Sequence, residues 1–396
     1  MSEHINRNSK IDWTLFLGIL LIGASLRAPI TSVGIALPSI KETLSLSNTS
    51  VSLITIFPLL SFAFISLFAA KISDRFGLER TVFGALLLLL LGIILRTITG
   101  VSWLYVGTIL IGIGIAFGNV LTPGIIKLNF PTRIGIMTGF YTVTMNIFGS
   151  LSSYVTAPLV KQFNYNIAIG LIGIVTFIGV VIWSFQLKKY DSNIKAVKST
   201  SNINVWKSPL SWQITLLMGG QSMIFYSLIN WLPEFLLSNG IPINEAGIYL
   251  SIMQLAIIPL TFVTPIFAVK LKSQVLVTFG TGMLFVLGVI TLMIKPEWAI
   301  LGIIFIGIAS GLAFGLVNTF FGLRTENGYT AAKLSGMSQS VGYLFAAIGP
   351  LFFGILHDAT NSWNASFSIL LVTSLLIMVF GSQAGRNTSI ERTLNK

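Results

Sequence analysis

The chain has 396 residues, of which 54% are hydrophobic and only 9% charged, far below the roughly one-quarter charged share of a soluble domain, so a water-soluble fold is excluded. A net charge of +12 would suggest a nucleic-acid partner in a soluble protein; in so apolar a chain, what matters is how the charge is divided among the loops. Cysteine is absent, which removes disulfides, thiolate metal sites and cysteine nucleophiles.

A polar tail over residues 1–12 runs into an apolar stretch at 13–38. That stretch is too long for the roughly 7 to 15 apolar residues of a secretory signal and reads as a first, retained span. Further apolar runs of spanning length, about 20 residues, follow at 49–70, 80–98, 103–126, 133–158, 166–187, 209–237, 245–269, 274–294, 298–322, 331–355 and 363–383. Twelve helices are therefore predicted. The longest break, 188–208, is basic and rich in Ser and Asn, and reads as a linker near anionic lipid headgroups. It divides the chain into an N-terminal bundle at 13–187 and a C-terminal bundle at 209–383, with a tail at 384–396. The fold class expected is an all-α polytopic membrane protein, twelve transmembrane helices in two pseudo-symmetric six-helix bundles.

An even number of spans puts both termini on one side. That side holds 19 of the 24 Lys and Arg residues, while Lys41, Arg96, Lys161 and Lys295 fall on the other and Arg27 inside span one. Excess positive charge marks the cytoplasmic face, so both termini are predicted to be cytoplasmic. The halves also repeat: Ala116-Phe117-Gly118 recurs as Ala313-Phe314-Gly315, Lys127 as Arg324 and Gly139 as Gly336, all at an offset of 197 residues. Duplicated halves with a binding site between them are a common plan for secondary transporters.

The segment Ala70-Lys71-Ile72-Ser73-Asp74-Arg75-Phe76-Gly77-Leu78-Glu79-Arg80 resembles the signature between helices two and three of the major facilitator superfamily. Its Asp-Arg-x-Gly centre is intact, and Ala70 stands where the pattern has glycine. Two stretches, Leu26-Arg27-Ala28-Pro29-Ile30-Thr31-Ser32-Val33-Gly34 and residues 220–233, from Gly220-Gln221-Ser222 through Tyr226 and Asn230 to Pro233, are similar to the cyanate and 2-nitroimidazole transporter branch. The resemblance implies that fold, a bacterial cytoplasmic-membrane permease or exporter for a small polar or anionic solute, and a conformational latch at Asp74, Arg75 and Gly77.

Arg27 lies near mid-membrane, where an uncompensated arginine costs at least about 2.5 kcal/mol. It either faces a hydrated cavity and meets substrate or bonds backbone carbonyls or Glu234, the one acid placed to reach inward from a span end. Pro29 fits a helix lining a cavity. Ser222, Tyr226 and Asn230, spaced four apart with Gln221 beside them, form a polar stripe that must face protein or water. Arg27, Thr31, Asn146, Gln221, Tyr226, Asn230 and Tyr343 are the candidate substrate contacts and Glu234 a candidate coupling group. For Gln221, Tyr226 and Asn146, bonds between helices explain the pattern equally well. Asn119, Gln254, Asn318 and Gln339 read as interhelical hydrogen bonds, and His4 and His357 as solvated.

No phosphate-binding loop is present, no metal or cofactor is expected, and no nucleophile, base and orienting group cluster to suggest an enzyme. The expected partners are the bilayer and a small-molecule substrate, with protons as a candidate coupling ion, no nucleic acid, and a monomeric chain. The favoured reading is secondary active transport of a small anionic or polar solute by alternating access. A proton-driven exporter of drug-like compounds is the alternative. A non-transporting sensor is disfavoured by the lack of any long soluble segment.

Overall fold

The computed structural model describes residues 12–46, 48–190, 203–241 and 243–394. Residues 1–11 of the expected N-terminal tail, 191–202 of the expected linker, and His4 lie outside them. Every regular element among the described residues is helical. In the first half these are α1 (Trp13–Thr43), α2 (Asn48–Phe76), α3 (Leu78–Thr97), α4 (Val101–Asn129), α5 (Ile134–Gln162), α6 (Tyr165–Gly170) and α7 (Gly173–Tyr190). The second half has α8 (Pro209–Ser238), α9 (Ile243–Ala268), α10 (Val275–Ile294), α11 (Ala299–Leu323), α12 (Gly328–Thr360), α13 (Trp363–Ala384) and α14 (Ile390–Leu394).

Eleven spans among the described residues are long and apolar enough to cross a membrane, α6 and α7 together forming one across a short turn. The twelfth column is α8, which has 30 residues and falls outside that group through its polar side chains. The helices run further than hydropathy alone indicates. What reads in the sequence as a loop after span two is the last turns of α2, and a single residue, Gly77 at φ +88, joins it to α3. A Cβ at that φ would be strained, which is why the signature carries glycine there. Side-chain caps start α1, α6 and α12: Asp12 accepts from the Leu15 amide, Asn164 from Ile167 and Asn327 from Thr330, each satisfying an amide that the first helical turn leaves open.

Two large apolar cores result, with a smaller cluster of Val33, Ile40, Ile54, Leu104 and Ile169 in the first half. The first joins Ile22, Leu86, Ile115, Tyr141 and the fully buried Trp183, whose indole donates to the Glu79 carbonyl at 2.9 Å. The second joins Leu217, Phe285, Phe320, Phe353 and Phe367. The halves repeat each other in contact as well as in sequence. Gly92 of α3 packs on the Gly107 carbonyl of α4, and Gly288 of α10 on the Gly302 carbonyl of α11, with room for no side chain at either. The outer surface exposes Phe64, Phe68, Leu276, Val372 and many other large apolar side chains, a surface suited to lipid rather than water.

The bundles meet directly at the end of the molecule where α1 begins and α13 finishes, the termini end. There the Thr142 hydroxyl of α5 donates to the Thr261 carbonyl of α9 at 2.8 Å, and nearer mid-height the Ser340 hydroxyl of α12 donates to the Ala63 carbonyl of α2. Arg324, the repeat partner of Lys127, is buried at this end; its guanidinium donates to the carbonyls of Ala384 and Gly385 and to Gln274. Burial lowers its pKa to about 10, so it stays charged at neutral pH. The segment after α13, read in the sequence as a tail, includes α14, whose Ile390 is buried and donates its amide to the Arg324 carbonyl.

Candidate functional site

Between the bundles, from mid-height to the end opposite the termini, lies a cavity of about 940 Å³. Its wall comes from both halves: α1, α2, α3, α4 and α5 on one side, and α8, α9, α11 and α12 on the other. Each half contributes a mixed surface because its helices turn polar positions away from lipid, where an unsatisfied polar group is costly. Direct packing closes the termini end, whereas Ile54, Ile56, Glu234 and Leu351 continue the wall toward the far end.

Arg27 lines this cavity. Among the described residues, no hydrogen bond or ion pair involves its guanidinium, and Tyr226 and Tyr343 of the other bundle line the same cavity. Its stem rests against Gly149 of α5, where a Cβ would lie 2.6 Å from Arg27 Cγ. One turn on, Thr31 lies on the wall with its hydroxyl committed elsewhere, 2.9 Å from the Gly149 carbonyl and 2.7 Å from the Ser152 hydroxyl. Thr31 thus ties α1 to α5 and fixes the level at which Arg27 enters.

On α8, Gln221, Ser222, Tyr226, Asn230 and Glu234 all line the cavity, so the polar stripe faces it. Gln221 donates to the Ser222 hydroxyl at 2.8 Å, while Asn230 and Glu234 are exposed at the far end. Tyr343 packs across the bundle interface on Phe62, ring centroids 4.8 Å apart. The structure brings Arg27, Thr31, Gln221, Tyr226, Asn230, Tyr343 and Glu234 to one cavity and leaves Asn146 off its wall. The Asn146 amide bonds the Thr142 carbonyl at 2.9 Å and the Thr261 hydroxyl at 3.3 Å, joining the bundles instead.

Asn119, Gln254, Asn318 and Gln339, read from sequence as contacts between helices, lie on the cavity wall. Asn318 and Gln339 bond within their own helices, to the Phe314 carbonyl and the Ser335 hydroxyl, while Asn119 of α4 accepts from Tyr141 of α5, a bond between helices as read from sequence. A polar residue in a span signals only that it avoids lipid; whether it meets another helix or a cavity depends on where neighbouring helices separate. Arg96 is a correction. Counted from sequence among the loop charges, it is buried in the last turn of α3 at 2% exposure and lines the cavity. The available signal was its position at the end of an apolar run on the side otherwise poor in basic residues. His357 is not simply solvated either: its ring lies 3.9 Å from that of Trp363.

In the signature segment, Asp74 Oδ2 lies 3.7 Å from Lys333 Nζ of the other bundle, Gly77 makes the turn, and Arg75 lies over the Phe76 ring. Among the described residues no group of His, Cys, Asp and Glu could hold a metal ion.

Known proteins of similar sequence span nearly the whole chain. It is 42% identical over 389 residues to the uncharacterized transporter YycB of Bacillus subtilis, covering 97% of this chain and 96% of that one. It is 37% identical over 378 residues to the 2-nitroimidazole transporter of Escherichia coli, covering 95% and 96%, and 23% identical over 368 residues to the cyanate transport protein CynX of Escherichia coli, covering 92% and 96%. Among solved structures, the proton:xylose symporter XylE matches with a TM-score of 0.78 at 13% identity, over 97% of this chain and 98% of that one. The model of the Major Facilitator Superfamily matches residues 15–347; with two six-helix bundles around a central cavity, the chain is a member of that superfamily.

Proposed function

We propose that this protein is a secondary active transporter of a small anionic or polar solute, working by alternating access. The observation that carries this reading is the guanidinium of Arg27, without a partner among the described residues, on the wall of a cavity shared by both bundles. A buried or half-buried charge needs a counter-charge or water, and among the described residues the wall carries two arginines against one acid, Glu234. An anion from solution fits that imbalance. The volume exceeds what a three-atom anion fills, so ring-sized solutes such as nitroimidazoles or aromatic carboxylates fit as well as cyanate, and the names of the two transporter relatives agree with both. Closing the far end and opening the termini end would carry the solute across.

The chain is placed by this reading in the bacterial cytoplasmic membrane, both termini cytoplasmic, as a monomer that needs neither cofactor nor nucleic acid and performs no bond-making chemistry. Glu234 supports a second reading, a proton-driven exporter, because an acid on the cavity wall is positioned to carry a proton with each cycle. Purified protein in liposomes distinguishes them. Cyanate or 2-nitroimidazole flux that Arg27→Ala abolishes, with unchanged membrane abundance, supports the first. Flux of lipophilic cations that requires a proton gradient and vanishes in Glu234→Gln supports the second. Normal solute flux in Arg27→Ala removes Arg27 from the mechanism.

A further inference from the structure

Arg96 has no place in the transport reading as derived from sequence, yet it is among the most deeply buried charged groups of the chain, at 2% exposure. It reaches from the end of α3 behind α1, where its Nη2 donates to the Pro29 carbonyl at 3.0 Å. Its Nε–H has no hydrogen-bond partner, and no acid pairs with it among the described residues. One hydrogen bond does not offset the burial of a guanidinium, which has five donors and prefers a fork-shaped acceptor. The group also lines the central cavity. Pro29 lies two residues beyond Arg27, about 3 Å further along the helix axis, so Arg96 meets α1 within one turn of Arg27, and both line the same cavity.

We propose that Arg96 is a second anion contact, forming with Arg27 a two-guanidinium site on the N-terminal wall of the cavity that takes a small anion such as a carboxylate, nitrate or cyanate. The Pro29 carbonyl orients Arg96 through Nη2, and Nη1, which is neither bonded nor closed off as Nε is, remains for the solute. Charge-assisted bonds of this kind are strong in a site shielded from water. The inference rests on the anion-transport reading and adds to it a residue and a preference for ligands that accept from two guanidinium groups.

The test is anion binding by the purified full chain, followed by thermal shift and titration calorimetry with sodium cyanate, sodium nitrate and sodium benzoate. Wild-type protein is expected to bind at least one of them, Arg27→Gln to bind it at least about tenfold more weakly, and Arg96→Gln to do the same. If Arg96→Gln does not give monodisperse protein, Arg96→Lys decides, since it keeps the charge and can still bond the Pro29 carbonyl. There the infrared stretch of the bound anion is expected to move from its wild-type position. Wild-type affinity in folded Arg96→Gln, or an unmoved stretch in Arg96→Lys, overturns the proposal while the anion reading stands on Arg27. Failure of the wild type to bind any of the three anions overturns both.

Discussion

Gly149 and Arg27 are matched in shape: the guanidinium stem crosses α5 at a position without a side chain, and a Cβ there would sit 2.6 Å from Arg27 Cγ. Gly149→Ala is therefore expected to push Arg27 out of line. The stability cost is about 1–3 kcal/mol, as for other overpacked sites. Solute flux in liposomes is expected to fall at least about tenfold, with membrane abundance retained; normal flux would show that the cavity does not depend on this seat.

Gly139 and Gly336, 197 positions apart, make equivalent contacts at the termini end. A Cβ on Gly139 would lie 2.9 Å from the Phe262 carbonyl, and one on Gly336 would lie 2.6 Å from the Ser66 carbonyl. A bulky side chain at either position wedges the bundles apart where they now touch. Gly336→Leu should shift the population toward a form closed at the far end. Because the chain has no cysteine, a single Asn230→Cys reports this directly, and its labelling by an impermeant maleimide from the far side should drop in the Gly336→Leu background. Unchanged labelling would mean the contact does not set which end is open.

The Asp74–Lys333 pair joins the bundles through side chains about a third exposed, so its contribution is small, about 0–1 kcal/mol. Asp74→Asn should leave thermal stability nearly unchanged. Any loss of transport should be partly restored by exchanging the charges in Asp74→Lys with Lys333→Asp. A melting-temperature drop of more than a few degrees in Asp74→Asn would assign the residue a larger structural role.

Arg324 is different because its acceptors are buried with it. Arg324→Met leaves the Ala384 carbonyl and the Gln274 side-chain oxygen without a donor, while the Gly385 carbonyl keeps the Gln274 amide and the Ser273 hydroxyl; the cost is on the order of 2–4 kcal/mol, at roughly 1–3 kcal/mol per stranded group with partial relaxation. With its pKa lowered to about 10 from the ordinary 12.5, the group is protonated in both folded and unfolded chains at neutral pH. It therefore adds no pH dependence to stability below about pH 9. Above that, the folded state holds fewer protons than the unfolded one, and this group favours folding as pH rises. Thermal melts of wild type and Arg324→Met from pH 6 to 8 should run parallel.

The sequence by itself determined the solvent, the number of columns and the repeat, because lipid enforces a simple requirement on every stretch of about 20 residues and a duplicated chain retains matching residues such as Lys127 and Arg324. It also identified Arg27, Gln221, Tyr226 and Asn230 as polar groups that must avoid lipid. The cavity itself was decided by tertiary structure. Asn146 and Gln339 look alike in sequence, each a single amide in a long apolar helix, yet Asn146 bonds across the bundle interface where α5 and α9 touch, and Gln339 faces the space where the bundles part. Arg96 looks like a loop charge until α3 is seen to end behind α1 with its last turn turned inward. Hydropathy reports how strongly a residue avoids lipid along one helix. What that residue meets depends on the distance between helices, which no single helix encodes.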